Sequence, residues 1–153
     1  MATAIGGCDS GVFVGRSVDV LVCRATGDSL VRAGQAAQVV VRISGRSPVI
    51  AVTAVDVSGL GRSISARLRL LEANAAAIVV LPFVRRWRDL AAPLDEVCGL
   101  LSVPRNDIPR VLRHYADAAQ LLRSELASSV TTPARPSRPV PAITSARYER
   151  TQR

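Results

Sequence analysis

The sequence contains no lysine, and only 3% of its residues are aromatic. All 20 basic residues are therefore arginines, and against 12 acidic residues they give a net charge of +8. So few aromatic rings leave little material for stacking on the bases of single-stranded nucleic acid. The chain is nevertheless 48% apolar and 21% charged, which is enough apolar material for a core and excludes a wholly disordered chain.

Long apolar runs are also missing. The longest, residues 75–84, contains Pro82 and falls short of the roughly 18 residues that a membrane span needs. The N-terminus lacks the apolar stretch of a signal peptide. Cys8, Cys23 and Cys98 are odd in number and far apart, so they fit neither a metal site nor a disulfide framework. We therefore expect a cytoplasmic protein with no metal, no other cofactor and no membrane partner.

Glycine and proline divide the sequence into three regions. Nine of the ten glycines lie in residues 1–61, and four of the nine prolines lie in residues 133–141. These shifts predict a β-rich domain over residues 1–81, a helical segment over residues 82–127 and a tail over residues 128–153. The tail is rich in Ser, Thr, Pro and Arg and too poor in apolar residues to order itself, so we expect it to be disordered.

The β-rich domain is predicted from five short segments that alternate in polarity or are rich in β-branched residues. These segments are residues 18–22, 38–43, 49–57, 63–70 and 77–81. In the fourth, the alternation places Arg67 and Arg69 in water. Residues 31–41 resemble the entry to an immunoglobulin-like bacterial β-domain. Short strands without clear helices between them predict an α+β fold, a small antiparallel β-sandwich or barrel followed by three helices.

The three helices are predicted from residue 82 onward. The first has Phe83, Trp87 and Leu90 on one face. The second covers residues 94–101, and the third runs from about residue 106 to residue 127. The third helix carries a heptad seam formed by Ile108, Leu112, Tyr115, Ala119, Leu122 and Leu126. Such a seam either packs on the body of its own chain or pairs with another copy.

Residues 94–113 resemble the helix-turn-helix DNA-binding motif. That motif locks two helices across a turn with apolar residues, and it needs a small residue, here Cys98, where the helices cross. The apolar positions are filled by Val97, Leu101, Val103, Ile108 and Val111. By this resemblance, the third helix would enter the major groove of double-stranded DNA.

The resemblance also implies which side chains contact DNA. At the start of the third helix and just before it, these are Arg105, Asn106, Arg110 and Arg113. Arginine recognises guanine edges and phosphate, and asparagine recognises adenine. Three more arginines, Arg85, Arg86 and Arg88, would add phosphate contacts. The expected function is a small non-enzymatic DNA-binding protein that regulates transcription, with a homodimer formed through the β-rich domain or the seam.

A second interpretation is a protein–protein interaction or assembly factor. In it, the helical seam and a tryptophan bind another protein or a second copy, and the arginines are surface charge. The partner-binding face would consist of Trp87, Leu112, Tyr115, Ala119 and Leu122. An enzyme is not expected, because His114 is the only histidine and no nucleophile with an orienting partner is apparent.

Overall fold

The computed structural model describes residues 5–131. Three strands alternate with two long helices, and a short helix and a long helix follow. The strands are β1 (Val20–Arg24), β2 (Val49–Thr53) and β3 (Ala77–Leu81), and the helices are α1 (Gly27–Ser44), α2 (Arg62–Leu71), α3 (Pro93–Val97) and α4 (Arg110–Thr131). Turns of 3-10 helix occupy Glu72–Asn74, Arg85–Arg88 and Leu100–Ser102. Residues 132–153, the larger part of the predicted tail, lie outside the described residues.

The sheet is open and entirely parallel, with its strands in the order β1-β2-β3. Val20 of β1 is paired with Val49 of β2, which is in turn paired with Ala77 of β3. The prediction of an antiparallel sandwich or barrel was therefore wrong, and the fold is an α/β fold. Parallel neighbours need a crossover connection, and here α1 and α2 provide the two crossovers.

The error arose because two helical crossovers were interpreted as strands. Residues 38–43 lie inside α1, as do all of residues 31–41, so the resemblance to an immunoglobulin-like domain fails as well. Residues 63–70 lie inside α2. The other three predicted strands, residues 18–22, 49–57 and 77–81, overlap β1, β2 and β3. Local β-branched content gave the wrong answer where tertiary packing selects a helix.

One face of the sheet is covered by α1 and α2. The buried face of α1 consists of Leu30, Ala33, Ala37 and Val40, spaced 3, 4 and 3 residues apart as a helix requires. It packs with Leu68 and Leu71 of α2 against Ile50 and Val52 of β2. A Cβ atom on Gly34 would lie 2.9 Å from Cδ2 of Leu71, so glycine at this position allows the two helices to approach closely.

The opposite face is covered by α4. Its buried residues Leu112, Tyr115, Ala119 and Leu122 form one core with Val49, Ala51, Val79 and Leu81 of the sheet. The heptad seam therefore packs on the chain's own sheet. The helix begins at Arg110, later than predicted, and continues to Thr131. Among the described residues, no helix is both long and apolar enough to cross a membrane.

The region between β3 and α4 contains less helix than predicted. The first predicted helix is a 3-10 turn over Arg85–Arg88, and the second is the five-residue α3 followed by the turn Leu100–Ser102. Gly99, with φ of 71°, precedes the turn Leu100–Ser102 in the left-handed conformation that favours glycine. Most of this region is therefore irregular chain laid over the carboxyl ends of the strands.

Candidate functional site at the carboxyl edge of the sheet

A pocket of about 370 Å³ lies where β2 and β3 end. Its walls come from the two strand ends, from the turn Arg85–Arg88 and from the first part of α4. The lining residues are Thr53, Ala54, Leu81, Pro82, Phe83, Val84, Trp87, Arg88 and Tyr115. The pocket lies at the edge of the sheet where open parallel α/β sheets bind ligands, although the strand order β1-β2-β3 has no reversal, which is where such sites usually lie. Its volume falls in the range of small-ligand pockets.

Three of the chain's five aromatic side chains meet in this pocket. Phe83 and Trp87 are half-buried, whereas Tyr115 is buried. The rings of Trp87 and Tyr115 make an edge-to-face contact, with their centroids 4.7 Å apart. Burial raises the pKa of the Tyr115 hydroxyl, so this side chain stays neutral at ordinary pH. The pocket therefore offers stacking surfaces without a negative charge.

The indole of Trp87 is fixed by a hydrogen bond to a carboxylate. Its Nε1 donates to Oε2 of Glu96, at 2.9 Å. The other carboxylate oxygen of Glu96 accepts from Nη2 of Arg86 in an ion pair. One acidic side chain on α3 thus orients the ring and neutralises one arginine of the turn Arg85–Arg88.

The two other arginines of that turn remain available for a ligand. The guanidinium of Arg88 lies over the ring of Phe83, with its Cζ atom 4.9 Å from the ring centroid. Arg85 is exposed and forms no ion pair with any residue of the described part of the chain. Thr53 lines the pocket and donates its hydroxyl proton to the carbonyl oxygen of Cys23, so its Oγ1 can only accept a hydrogen bond from a ligand.

The predicted helix-turn-helix does not have the expected arrangement over residues 94–113. Its first helix has only five residues, and residues 98–109 separate that helix from α4, where the motif has a short turn. Val103 and Val111, two of the residues expected to lock the helices together, are exposed. The sequence has the apolar spacing of a helix-turn-helix, but its backbone does not form the two helices and the short turn of that motif.

Two of the arginines predicted to contact DNA are engaged within the chain. Arg105 makes a two-pronged ion pair with Asp117, with Nε–Oδ1 at 2.9 Å and Nη2–Oδ2 at 2.8 Å. Arg113 donates to the carbonyl oxygens of Ile108 and Asn106, at 3.0 and 3.2 Å. Both guanidinium groups hold the irregular chain before α4 against that helix.

The remaining predicted residues are exposed. Asn106 lies in the connection before α4, and Arg110 is the first residue of α4, the helix that also supplies Tyr115 to the pocket. Arg110 forms no ion pair with residues 5–131. Arg85, Arg88 and Arg110 are thus the predicted nucleic-acid contacts that form no ion pair with an acidic side chain of residues 5–131 and make no hydrogen bond to a backbone carbonyl there.

No family model, curated protein or solved structure matches this chain. Its site is therefore interpreted from its own geometry. Residues 5–131 contain no group of three or more His, Cys, Asp or Glu side chains that could hold a metal ion. The sequence predicted Arg88 as a phosphate contact and Trp87 and Tyr115 as partner-binding residues, and it did not indicate Thr53 and Phe83 as site residues. The signal that could have found them is their position at the carboxyl ends of buried strands, once those strands are taken as parallel: Thr53 is the last residue of β2, and Phe83 lies two residues beyond the end of β3.

The ion pair of Arg105 with Asp117 leads to a test in solution. It lowers the pKa of Asp117 below the ordinary value of 3.8, mainly through the hydrogen bonds from Arg105. In Arg105→Ala we expect this pKa to rise, measured by carboxyl NMR titration. Because the native pKa is depressed, the pair stabilises the fold above the unfolded-state pKa and ceases to do so as pH falls through the native value. The difference in Tm between wild type and variant should therefore shrink on acidification.

The matched control is Arg123→Ala, which removes an exposed arginine one and a half turns further along α4. It should leave the pKa of Asp117 unchanged. An unchanged Asp117 pKa in Arg105→Ala would show that the pair does not form in solution.

Proposed function

We propose that this chain is a non-enzymatic nucleic-acid-binding protein that holds an unpaired base in the pocket at the carboxyl edge of its sheet. One observation carries the proposal: a chain with five aromatic residues brings three of them into one pocket that an arginine also lines. Proteins that bind single strands stack bases on aromatic rings and follow the backbone with basic side chains. The predicted regulation of transcription through a helix-turn-helix stays a prediction, and this proposal does not depend on it.

The division of roles follows from burial. A base would stack on half-buried Trp87 and on the face of half-buried Phe83 that Arg88 does not cover, while buried Tyr115 contacts the indole edge to face. The acceptor oxygen of Thr53 suits an N–H group on the edge of a base. Arg88 at the pocket and exposed Arg85 beside it suit the phosphates that flank the base.

The lining itself supports binding rather than catalysis. Its polar side chains are Thr53, Trp87, Arg88 and Tyr115, so it contains no carboxylate, imidazole or thiol. General acid–base catalysis requires a group that titrates near the working pH and lies within reach of the reacting atom. The tyrosine, whose pKa is raised by burial, does not meet that requirement.

The alternative function, an assembly factor, required an exposed partner-binding face, and most of that face is buried. Leu112, Tyr115, Ala119 and Leu122 are buried against the sheet, which leaves only half-buried Trp87 of the predicted partner-binding face. A partner could reach these residues only if α4 left the sheet. The carboxyl-edge pocket is open without any such rearrangement.

Binding is measured directly, because Trp87 is the only tryptophan of the chain. We expect a short single-stranded oligonucleotide to quench its fluorescence, and a duplex of the same sequence to do so less. The logarithm of the affinity should fall linearly with the logarithm of salt concentration. Phe83→Leu should weaken binding roughly 5- to 150-fold, the effect of removing one stacking ring. Arg88→Gln should weaken binding and also reduce the salt slope.

The matched control is Arg42→Gln, which removes one exposed arginine from the last turn of α1, at the end of that helix remote from the carboxyl edge. It should bind like the wild type. A chain ending at Thr131 should retain the quenching, because every described lining residue lies before residue 116. The proposal fails if Arg42→Gln and Arg88→Gln lose affinity equally, if Phe83→Leu binds normally, or if binding disappears with residues 132–153.

A further inference from the structure

One face of strand β1 is only partly covered by helix: Val20 packs against the core that α4 forms, but the strand beyond it does not. Helices normally cover both faces of a parallel sheet. Helix α4 packs over β3 and β2, and its core includes Val49 and Ala51 of β2. Val22 of β1 is paired with Ala51 and lies on the same face, yet it is 56% exposed. The layer formed by α4 therefore ends before the edge of the sheet.

A groove of about 1140 Å³ lies over the exposed face of β1. It is bounded by the chain before β1, by β1 itself, by the turn after α1 and by the end of α4. Its apolar lining includes Ile5, Val20, Val22 and Leu126, and it meets the carboxyl-edge pocket at Thr53. The groove is too large and too open to be an ordinary packing defect of a close-packed interior.

The chain leaves α4 at the rim of this groove. Ser129, in the last turn of α4, lines the groove, and its carbonyl oxygen accepts a hydrogen bond from Nη2 of Arg46, another lining residue. The helix ends two residues later, at Thr131. Everything that follows, residues 132–153, therefore begins beside the exposed face of β1.

We propose that residues 140–148 of this chain dock in the groove and cover Val22. The bulky apolar residues beyond Thr131 all fall in this stretch: they are Val140, Ile143 and Tyr148. The connection to them, residues 132–139, contains three prolines and suits an extended spacer of about 3 Å per residue, which needs no hydrogen bonds of its own. Composition alone does not order this segment, and the groove supplies the apolar surface that it lacks.

The charged lining of the groove is mixed, because Arg16 and Arg46 stand beside Asp9 and Asp19. The two aspartates are exposed, and neither forms an ion pair with another described residue, so each offers a local contact for an arginine of the occupant. Residues 140–153 carry Arg147 and Arg150 close to the apolar stretch. Ion pairs at such an exposed rim contribute little stability, but they favour one direction of docking over the other.

The test uses the chain's own cysteines. Cys8 is exposed and lines the groove, so a thiol introduced by Ile143→Cys should form a disulfide with it. Cys98→Ser removes the other exposed thiol. Cys23 is buried, and burial raises its pKa to about 11, so it does not compete. In the full chain under mild oxidation, we expect an intramolecular disulfide, identified by peptide mass spectrometry and by faster migration without reductant.

The control places the new thiol at Gln152→Cys, near the end of the same segment. An undocked tether brings both thiols to Cys8 at comparable rates, since closing a longer loop costs little more entropy. Docking predicts that Ile143→Cys reacts at least tenfold faster, and that Val22→Asp removes this preference. Equal rates for the two positions would overturn the proposal. Disulfide-linked dimers whose yield rises with protein concentration would also overturn it and would assign the groove to a second copy. Neither outcome involves nucleic acid, so the two proposals fail separately.

Discussion

Leu122→Ala is expected to lower the free energy of unfolding by about 2–5 kcal/mol, because it opens a cavity beneath α4. Leu122 is 0% exposed and packs in the core that α4 forms with β2 and β3. Its neighbour Leu121 is 50% exposed. Leu121→Ala is therefore the matched control, with an expected change within about 0.5 kcal/mol. Both substitutions remove the same atoms from the same helix, so the difference between them isolates burial.

Urea denaturation followed by circular dichroism measures both variants, and the experiment also separates two roles for the heptad seam. If the seam packs on its own sheet, the midpoint of unfolding is independent of protein concentration. If the seam pairs two copies, the midpoint rises with concentration, and Leu122→Ala weakens that dependence. The second pattern, or equal losses for the two leucines, would contradict the packing of α4.

Leu68→Asp is expected to unfold the chain or to cost several kcal/mol, because it buries a carboxylate without a partner. Leu68 faces the sheet from α2, whereas Leu70 on the same helix is 76% exposed. Leu70→Asp should therefore lose only the small difference in helix propensity between the two residues, roughly 0.5 kcal/mol. In a strand, residues two apart face the same side and both substitutions would be equally damaging.

Leu68→Ala keeps this comparison measurable if the aspartate variant does not fold. It should cost about 2–4 kcal/mol, against less than about 1 kcal/mol for Leu70→Ala. Thermal unfolding of the four variants at one protein concentration provides the measurement. Similar losses at both positions would show that residues 63–70 form the half-buried strand predicted from their alternation.

The sequence allowed the strands to be found but not their direction. The segments that became β1, β2 and β3 are short apolar runs, and such runs mark buried strands in either kind of sheet. Whether neighbouring strands run parallel or antiparallel depends on the segments that connect them. In those segments the spacing of apolar residues fitted both a strand and a helix. Ile64 and Leu68 satisfy strand alternation and are also spaced as on one helix face. In α1, the run of valines at 39–41 concealed the helical spacing of Leu30, Ala33 and Ala37.

The sequence indicated individual residues of the candidate site but not the site itself. Trp87, Arg88 and Tyr115 stood out because aromatic and basic side chains are informative wherever they occur. Their meeting in one pocket was not predictable without the parallel order of the strands, because that order places Thr53 beside the chain that follows β3. The resemblance to a helix-turn-helix failed because apolar spacing alone does not specify the backbone between Val97 and Arg110.

The position of α4 last among the described elements has a consequence for synthesis. A ribosome delivers β1, β2 and β3 before any of α4, so the nascent sheet presents the face of Val49, Ala51, Val79 and Leu81 to solvent. The interval from Leu81 to Thr131 takes roughly 2 to 10 s at ordinary translation rates. During that time an apolar, incompletely covered sheet stands at the ribosome exit. This is the kind of surface that chaperones bind, and slower translation of residues 82–131 would lengthen its exposure and increase co-translational aggregation.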